Sequence, residues 1–445
     1  MREKEFLPQI AERLGIAELN EMQRRMMATG TEGRDIILLS PTGSGKTLAF
    51  ILPMLKMLRP STGRVQAVVI APSRELVIQI AGVLQKIGAG MKTTPLYGGH
   101  KFEDEENSLK AGADIVVATP GRLLDHIRRR TVDLLPTRIL VLDEFDKSLE
   151  LGFEAEMKKI VARLKNVSRQ ILTSATRSDL LPDFLNLQSP MTLDFLNDND
   201  SLRQRIRVHR VDSDSNDKLA SLRVLLDNLA VAAGRHERSI IFVNHRESAE
   251  RVADYLRRNN MPAVLYHGAL DQRERESAVA RFNNGSRPIL VATDLAARGL
   301  DIKEVRSIVH YHQALTPETW THRNGRTARV SADGDIYVLV GPEESIKDYV
   351  EFDDTYWLDS DKRPDPMPMM ETLYIGAGKK VKLSKGDILG FLIKECGLSG
   401  SDIGTIDVYD HYSLAAVSTD NAEALIEKAR SAKIKGTRRQ MSILR

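Results

Sequence analysis

The sequence predicts an α/β chain in which two doubly wound parallel sheets in tandem precede a small α+β domain. Three observations carry this. Short apolar, β-branched runs alternate with longer amphipathic stretches. The alternation begins afresh near residue 240. The pattern and charge balance then change after an acidic segment containing Pro364, Pro366 and Pro368. Strands alternating with helical patterns build βαβ units and hence parallel sheets.

In the first part, residues 36–39, 68–70, 115–117, 139–142 and 171–172 are near-continuous apolar runs. A parallel strand covered by helices on both faces reads this way. The helical pattern at 75–87 is one of the intervening stretches. In the second part the runs are 240–243, 263–266, 289–291, 308–309 and 336–340. From 371 the expected order is βαββαβ, with strands at 372–375, 404–408, 412–417 and 439–444 and helices at 384–396 and 421–431. A chain of 445 residues, at about 150 residues per domain, fits three domains. The expected boundaries are a first domain at 1–197, a linker at 198–205, a second domain at 206–342, an acidic linker at 343–370 and a third domain at 371–445.

The composition, 42% hydrophobic and 28% charged, excludes a mostly disordered chain. No stretch approaches the ~18 apolar residues of a membrane span, and the N-terminus has no apolar signal-peptide core. Cys396 is the only cysteine, so no internal disulfide forms. The expected compartment is the cytoplasm, with no membrane partner. Lys and Arg number 64 against 61 Asp and Glu, a net charge of +3, so any basic surface must be local.

Ser40-Pro41-Thr42-Gly43-Ser44-Gly45-Lys46-Thr47 follows a predicted strand and opens a predicted helix. Glycines there let backbone N–H groups turn toward phosphates. Lys46 supplies a charge for the β- and γ-oxygens, and Thr47 a hydroxyl for Mg²⁺. Asp143-Glu144-Phe145-Asp146 ends the strand 139–142, where ligands sit in such sheets. Asp143 is the candidate to hold Mg²⁺, and Glu144 to orient and deprotonate an attacking water. Gln23 can pair with both edges of adenine, and Phe6 can stack on the base.

These residues together resemble the DEAD-box RNA helicases, ATPases of superfamily two, over residues 6–340. Phe6 with residues 15–23 is similar to the family's Q motif, although Leu19-Asn20-Glu21-Met22 stands where Thr-Pro is usual. Pro72 and Arg74, Gly98-Gly99, and Thr119 with Arg122 match RNA-contacting motifs of the family's first domain. Ser174-Ala175-Thr176, with Asp146, matches the motif that couples hydrolysis to strand separation. In the second domain Asn244, Gln272, Arg275, the run 293–301 and the run 322–329 match. The resemblance implies two RecA-like domains that close on ATP and RNA. Gln23, residues 42–47 and Asp301 would bind nucleotide, and Arg326 and Arg329 would act as arginine fingers. Gln272, Arg275 and Thr293 would touch the RNA backbone. It implies local, RNA-stimulated, ATP-dependent unwinding by a monomer. Phe145 departs from the usual small residue. It is expected to point away from the phosphates, because neighbours on an extended segment alternate. Two alternatives stay open: a clamp that closes on ATP but scarcely hydrolyses it, and a DNA-directed relative.

The third domain has the layout of an RNA-recognition module, with Tyr374 and Tyr412 as stacking candidates. Its sequence resembles the C-terminal domain of DbpA-type helicases, which implies ribosomal RNA as target during large-subunit assembly. Lys433, Lys435, Arg438 and Arg439 are the expected basic contacts.

Overall fold

A computed structural model describes residues 12–16, 18–29, 33–41, 43–88, 90–177, 181–196, 205–294, 302, 305–327, 333–362 and 368–444. Among the described residues the chain forms two compact units, one ending near Leu202 and one beginning near Arg203.

The first unit holds a parallel sheet of β1 (Ile36–Leu39), β2 (Ala67–Ile70), β3 (Thr93–Leu96), β4 (Ile115–Ala118), β5 (Ile139–Leu142), β6 (Arg169–Ser174) and β7 (Met191–Asp194). Their order is β3-β4-β2-β5-β6-β1-β7. Alternation along each strand feeds two apolar layers. Ile36 and Leu38 pack with Phe50, Ile51 and Val77 on one side. Ile37 and Leu39 pack with Leu123, Leu124 and Ile160 on the other. Helices on both faces make the sheet doubly wound, as predicted. Five first-domain motifs follow the C-terminal end of a strand. Residues 40–45 follow β1, Pro72 to Arg74 follow β2, Gly98-Gly99 follows β3, Thr119 follows β4, and Asp143 follows β5. This is the edge where open α/β sheets hold ligands.

The second unit begins with a parallel sheet of β8 (Ile206–Asp212), β9 (Ser239–Phe242), β10 (Ala263–Tyr266), β11 (Ile289–Ala292), β12 (Ser307–His310), β13 (Gly334–Val340) and β14 (Asp354–Thr355). Their order is β10-β11-β9-β12-β13-β8-β14. The segment expected as a linker at 343–370 is therefore partly built into this sheet. β14 pairs with β8, with Asp354 opposite His209. Glu344 receives the buried Lys218 ammonium at 2.6 Å. Asn228 bonds the Asp359 amide and carbonyl. Acidic composition signalled a linker, but these acids are tied down by Lys218 and by His209, whose Nδ1 lies 2.5 Å from Asp354.

The third domain is β15 (Met370–Ile375), helix Lys385–Lys394, β16 (Ile403–Val408), β17 (Ser413–Ser418), helix Ala422–Ser431 and β18 (Met441–Leu444), the predicted βαββαβ order. Its antiparallel sheet runs β16-β17-β15-β18. Leu373, Ile375, Phe391, Leu392 and Leu425 form its core, and Cys396 is buried there as a small apolar residue. The outer sheet face packs on the helix Gln272–Asn283 of the second domain. Tyr412 donates its hydroxyl to Glu276 at 2.8 Å, and Ala280 packs with Tyr412 and Leu414. Arg273 lies 5.2 Å from both the Tyr374 and Tyr412 rings. Arg287 pairs with Glu371 at 3.2 Å, and Ser286 bonds Thr372 at 2.6 Å. Among the described residues no helix is long and apolar enough to cross a membrane.

Candidate active site and nucleic-acid face

The phosphate loop is set by its glycines. Gly45 adopts φ 91° and hands the chain to helix Lys46–Met57. A side chain there would be strained in the left-handed region. Its Cβ would also lie 2.6 Å from Gln23 Nε2. Gln23 is therefore seated against the loop, donating to the Gly45 carbonyl at 3.3 Å. Asn20 completes the latch. Its side chain donates to Ser44 O at 2.8 Å and accepts from Gln23 N at 2.9 Å, while its amide donates to Gln23 Oε1 at 3.0 Å. The departure from Thr-Pro thus supplies a residue that ties Gln23 to the phosphate loop. Lys46 is buried and donates to Ser40 O at 2.9 Å. Thr47 is partly exposed beside it. Phe6, Thr42, Asp301 and Arg329 lie outside the described residues.

The acidic motif and Ser174-Ala175-Thr176 form one network with this loop. The Ser40 amide donates to Ser174 O at 3.0 Å. Buried Thr173 donates its hydroxyl to Asp143 at 2.5 Å and accepts the Glu144 amide at 3.1 Å. Thr176 donates to Asp146 Oδ2 at 2.9 Å, and its own amide donates to Ser174 Oγ at 3.0 Å. Asp146 Oδ1 is buried and carries no hydrogen bond. Burial, then the neighbouring Glu144 charge, holds the Asp143 carboxyl above the usual carboxylate range, against the Thr173 bond and Lys46. Glu144 turns at φ 49°, and a helix starts at Phe145. Phe145 does point into the apolar layer around Leu142 and Leu172 and is 2% exposed. A left-handed turn puts it there, however, and not the alternation of an extended strand.

On the other motif face of this unit, Arg74 packs across Gly98 and Gly99; a Cβ on Gly99 would lie 2.6 Å from its guanidinium. Pro72 precedes Ser73, which caps the helix Arg74–Ile87 by accepting from Leu76 N at 3.2 Å. Thr119 precedes the helix Pro120–Arg128, and its hydroxyl does not cap it. Arg122, in that helix's first turn, donates to buried Glu105 at 2.5 Å.

In the second unit, Arg323 is fully buried. It donates to Asp294 at 2.6 Å, to Asn244 Oδ1 at 2.7 Å and to the His312 carbonyl at 2.8 Å. It joins three motifs that lie 79 residues apart at the extremes. Its charge adds to burial in pushing His310 down to about 3, so that ring stays neutral. Arg326 follows in the same motif and is buried. Gln272 and Arg275 stand in the first turns of the helix Gln272–Asn283, fixed by an Asp271–Glu274 capping box. Thr293 follows β11, its amide on Tyr266 O at 3.3 Å.

In the third domain Tyr374 and Tyr412 do not offer open stacking faces, contrary to the expectation, because Arg273 and the helix Gln272–Asn283 cover them. Lys433, Lys435 and Arg438 are exposed, and Arg439 is partly so. Lys435 reaches Lys382 O at 2.6 Å and Asp387 at 2.9 Å. That contact brings it to a second set of exposed lysines, Lys379, Lys380, Lys382 and Lys385, which the sequence reading did not assign.

Three family profiles match consecutive parts of the chain: DEAD/DEAH box helicase at 20–183, helicase conserved C-terminal domain at 217–331, and DbpA RNA binding domain at 372–443. The chain is 34% identical to the ATP-dependent RNA helicase DbpA of Escherichia coli (strain K12), over 97% of this chain and 96% of that one. It is 32% identical to the DEAD-box ATP-dependent RNA helicase RhpA of Helicobacter pylori, over 74% of this chain and 66% of that one. Among solved structures, Saccharomyces cerevisiae Dbp5 bound to RNA and ADP BeF3 superposes with a TM-score of 0.67 at 27% identity, covering 76% of this chain and 88% of that one. Mss116p bound to ssRNA and AMP-PNP superposes with a TM-score of 0.70 at 25% identity, covering 81% of this chain and 78% of that one. Two parallel sheets with motifs at their C-terminal strand edges, a third domain of DbpA type and 34% identity over 97% of the chain place it in the family of DEAD-box ATP-dependent RNA helicases.

Proposed function

We propose that the chain remodels structured RNA, specifically ribosomal RNA during large-subunit assembly, by coupling RNA-stimulated ATP hydrolysis to closure of its two RecA-like domains. The observation that carries the reading is the continuous network from Gln23 through the phosphate loop to Asp143, Asp146 and Thr176. Gln23 selects adenine, Lys46 and the loop amides bind the phosphates, and Glu144 takes a proton from the attacking water. Arg326 and Arg329 come from the second domain to offset charge on the transferring phosphoryl group, so turnover waits on closure. Asp301 holds the ribose and Phe6 stacks on the base.

The donor set fits Mg²⁺, a hard cation that binds carboxylates and hydroxyls. Asp143 is a buried carboxylate crowded by Glu144, and the neighbouring Asp146 Oδ1 lacks a hydrogen bond. Thr47 and Asp143 would hold the ion, which would neutralise charge on the phosphate oxygens.

RNA lies on Pro72, Arg74, Gly98, Gly99, Thr119, Arg122, Gln272, Arg275 and Thr293. These contact phosphate and sugar and read no sequence. Hydrolysis state reaches the RNA side through Asp146, Ser174 and Thr176. Target choice falls to the third domain through Lys433, Lys435, Arg438 and Arg439, joined by the lysines at 379–385. The test is ATP turnover at rising concentrations of ribosomal RNA fragments and of random RNA of equal length. RNA-independent turnover refutes the coupling. Equal half-saturation for the two RNAs refutes the ribosomal target.

A further inference from the structure

Glu105 lies on helix Phe102–Lys110, where it is the one buried residue. It is 3% exposed, although the chain could fill that position with an apolar side chain and avoid burying a charge. Its carboxylate is fully engaged. It accepts the Tyr97 amide at 2.7 Å and Arg122 Nε at 2.5 Å, and it meets His126 Nε2 at 2.8 Å and His100 Nε2 at 3.1 Å. Burial raises its pKa, and the bonds from the two histidines, Arg122 and Tyr97 outweigh that, leaving it at about 2. It is therefore ionised at every working pH.

The four partners come from the two segments proposed to face RNA, one a turn and one a helix. Tyr97 and His100 flank Gly98-Gly99, and Arg122 and His126 lie on the helix opened by Thr119. Arg122 is further held by its second contact, Nη2 to His100 O at 3.5 Å, and by the Phe102 ring 4.8 Å away. Phe102 in turn stacks on His126 at 4.2 Å. A guanidinium clamped at Nε has its terminal N–H groups aimed in advance, which lowers the ordering cost of meeting a phosphate.

We propose that Glu105 is a positioning residue for RNA. Its carboxylate fixes the Arg122 fork and the Gly98-Gly99 turn in one geometry, so that both meet the strand without reorganisation. The proposal rests on the reading of Arg122 as a phosphate contact. It has a distinctive sign. A negative charge beside a phosphate path opposes binding, so if charge alone mattered, its removal would tighten RNA binding. If Glu105 orders the contacts, its removal weakens binding despite the gain in positive charge.

The experiment uses the full chain and measures the RNA concentration giving half-maximal ATPase stimulation, together with turnover at saturating RNA. Glu105→Gln keeps the shape but cannot accept from every donor. Half-saturating RNA should rise about tenfold, the loss associated with one charge-assisted hydrogen bond, while saturated turnover changes less than twofold. Arg122→Lys keeps the charge, loses the clamped fork and leaves Glu105 in place. It should raise half-saturating RNA nearly as far as Arg122→Ala does. The double variant Glu105→Gln, Arg122→Ala should bind no worse than Arg122→Ala alone, because the effects share one path. Unchanged or tighter RNA binding by Glu105→Gln, or additive losses in the double variant, overturns the proposal. A wild-type Arg122→Lys overturns it even where Glu105→Gln fails to fold. A wild-type Arg122→Ala instead refutes the RNA contact itself.

Discussion

Replacing Phe145 by Ala restores the small residue usual in this family at that position, yet the structure predicts a less stable protein. The ring is 2% exposed and lies in the apolar layer with Leu142 and Leu172, beneath the strand ends that carry the acidic motif. Truncating a buried Phe to Ala costs about 3–5 kcal/mol, from lost transfer free energy and the cavity left behind. Phe145 opens the helix Phe145–Glu150, and Ala is the better helix former by at most ~0.7 kcal/mol. That gain does not offset the cavity. At about 2–4 °C per kcal/mol for a domain of this size, the first domain's melting transition should fall by roughly 6–20 °C. Scanning calorimetry of the full chain, with ATP turnover measured on the same sample, reads both consequences. A fall of less than about 2 °C would show that the ring's surroundings collapse to fill the space, and the packing argument would be wrong. Unchanged stability with much faster turnover would assign Phe145 a restraining role on Glu144, its neighbour at φ 49°.

Lys46→Ala should abolish productive ATP binding in a nucleotide-binding titration, since the phosphates lose their main countercharge. Glu144→Gln should bind ATP normally and stop turnover, and wild-type turnover by that variant would remove Glu144 as the base. Arg326→Ala and Arg329→Ala should each slow RNA-stimulated hydrolysis by about 10³-fold or more, leaving nucleotide affinity of the first domain unchanged; full stimulated turnover would exclude a finger role for that residue. Neutralising Lys433, Lys435, Arg438 and Arg439 together should weaken the preference for ribosomal over random RNA and flatten its salt dependence, because fewer counterions are released. An unchanged ratio of half-saturating concentrations would place target choice elsewhere.

The central strands were legible because burial on both faces makes them continuous apolar runs, as at Ile36–Leu39 and Ile139–Leu142. Four strands at or beside a sheet edge, β3, β7, β8 and β14, were not, whereas the edge strands β10, β16 and β18 were. β3 reads Thr-Thr-Pro-Leu, β7 and β14 end their sheets, and β8 carries Arg207, His209 and Arg210 in its alternation. Candidate residues grouped in a contiguous motif also stand out in the sequence, as Lys46, Asp143 and Glu144 do. The contacts of Asn20, Glu105, Thr173 and Arg323 were not legible, although Asn20 and Arg323 stand in runs the sequence analysis singles out, and the reason is common to all four. Each works by hydrogen bonds to groups 17 to 79 residues away, and nothing in the local sequence marks a partner at that distance. Tyr374 and Tyr412 were misread for a related reason. Fold order identifies the sheet, but only the structure tells which of its faces is already covered.

That covering changes how the third domain can be tested and what it can bind. Deleting 371–445 would strip the partner from Ala280, leave Glu276 without the Tyr412 hydroxyl and leave Arg287 without Glu371. A loss of specificity in such a truncation would therefore mix missing RNA contacts with a disturbed helix Gln272–Asn283, the helix that carries Gln272 and Arg275. Substitution of exposed lysines avoids this, since their side chains take no part in the packed face. With the two tyrosines engaged by Arg273, bases have no free aromatic platform there while the domain stays docked. Under the proposed role in target choice, recognition there rests on charge. The exposed lysines at 379–385 meet the 433–435 segment where Lys435 contacts Lys382 and Asp387. Two sequence segments joined in this way make a surface suited to the backbone of a folded RNA more than to a row of stacked single-stranded bases.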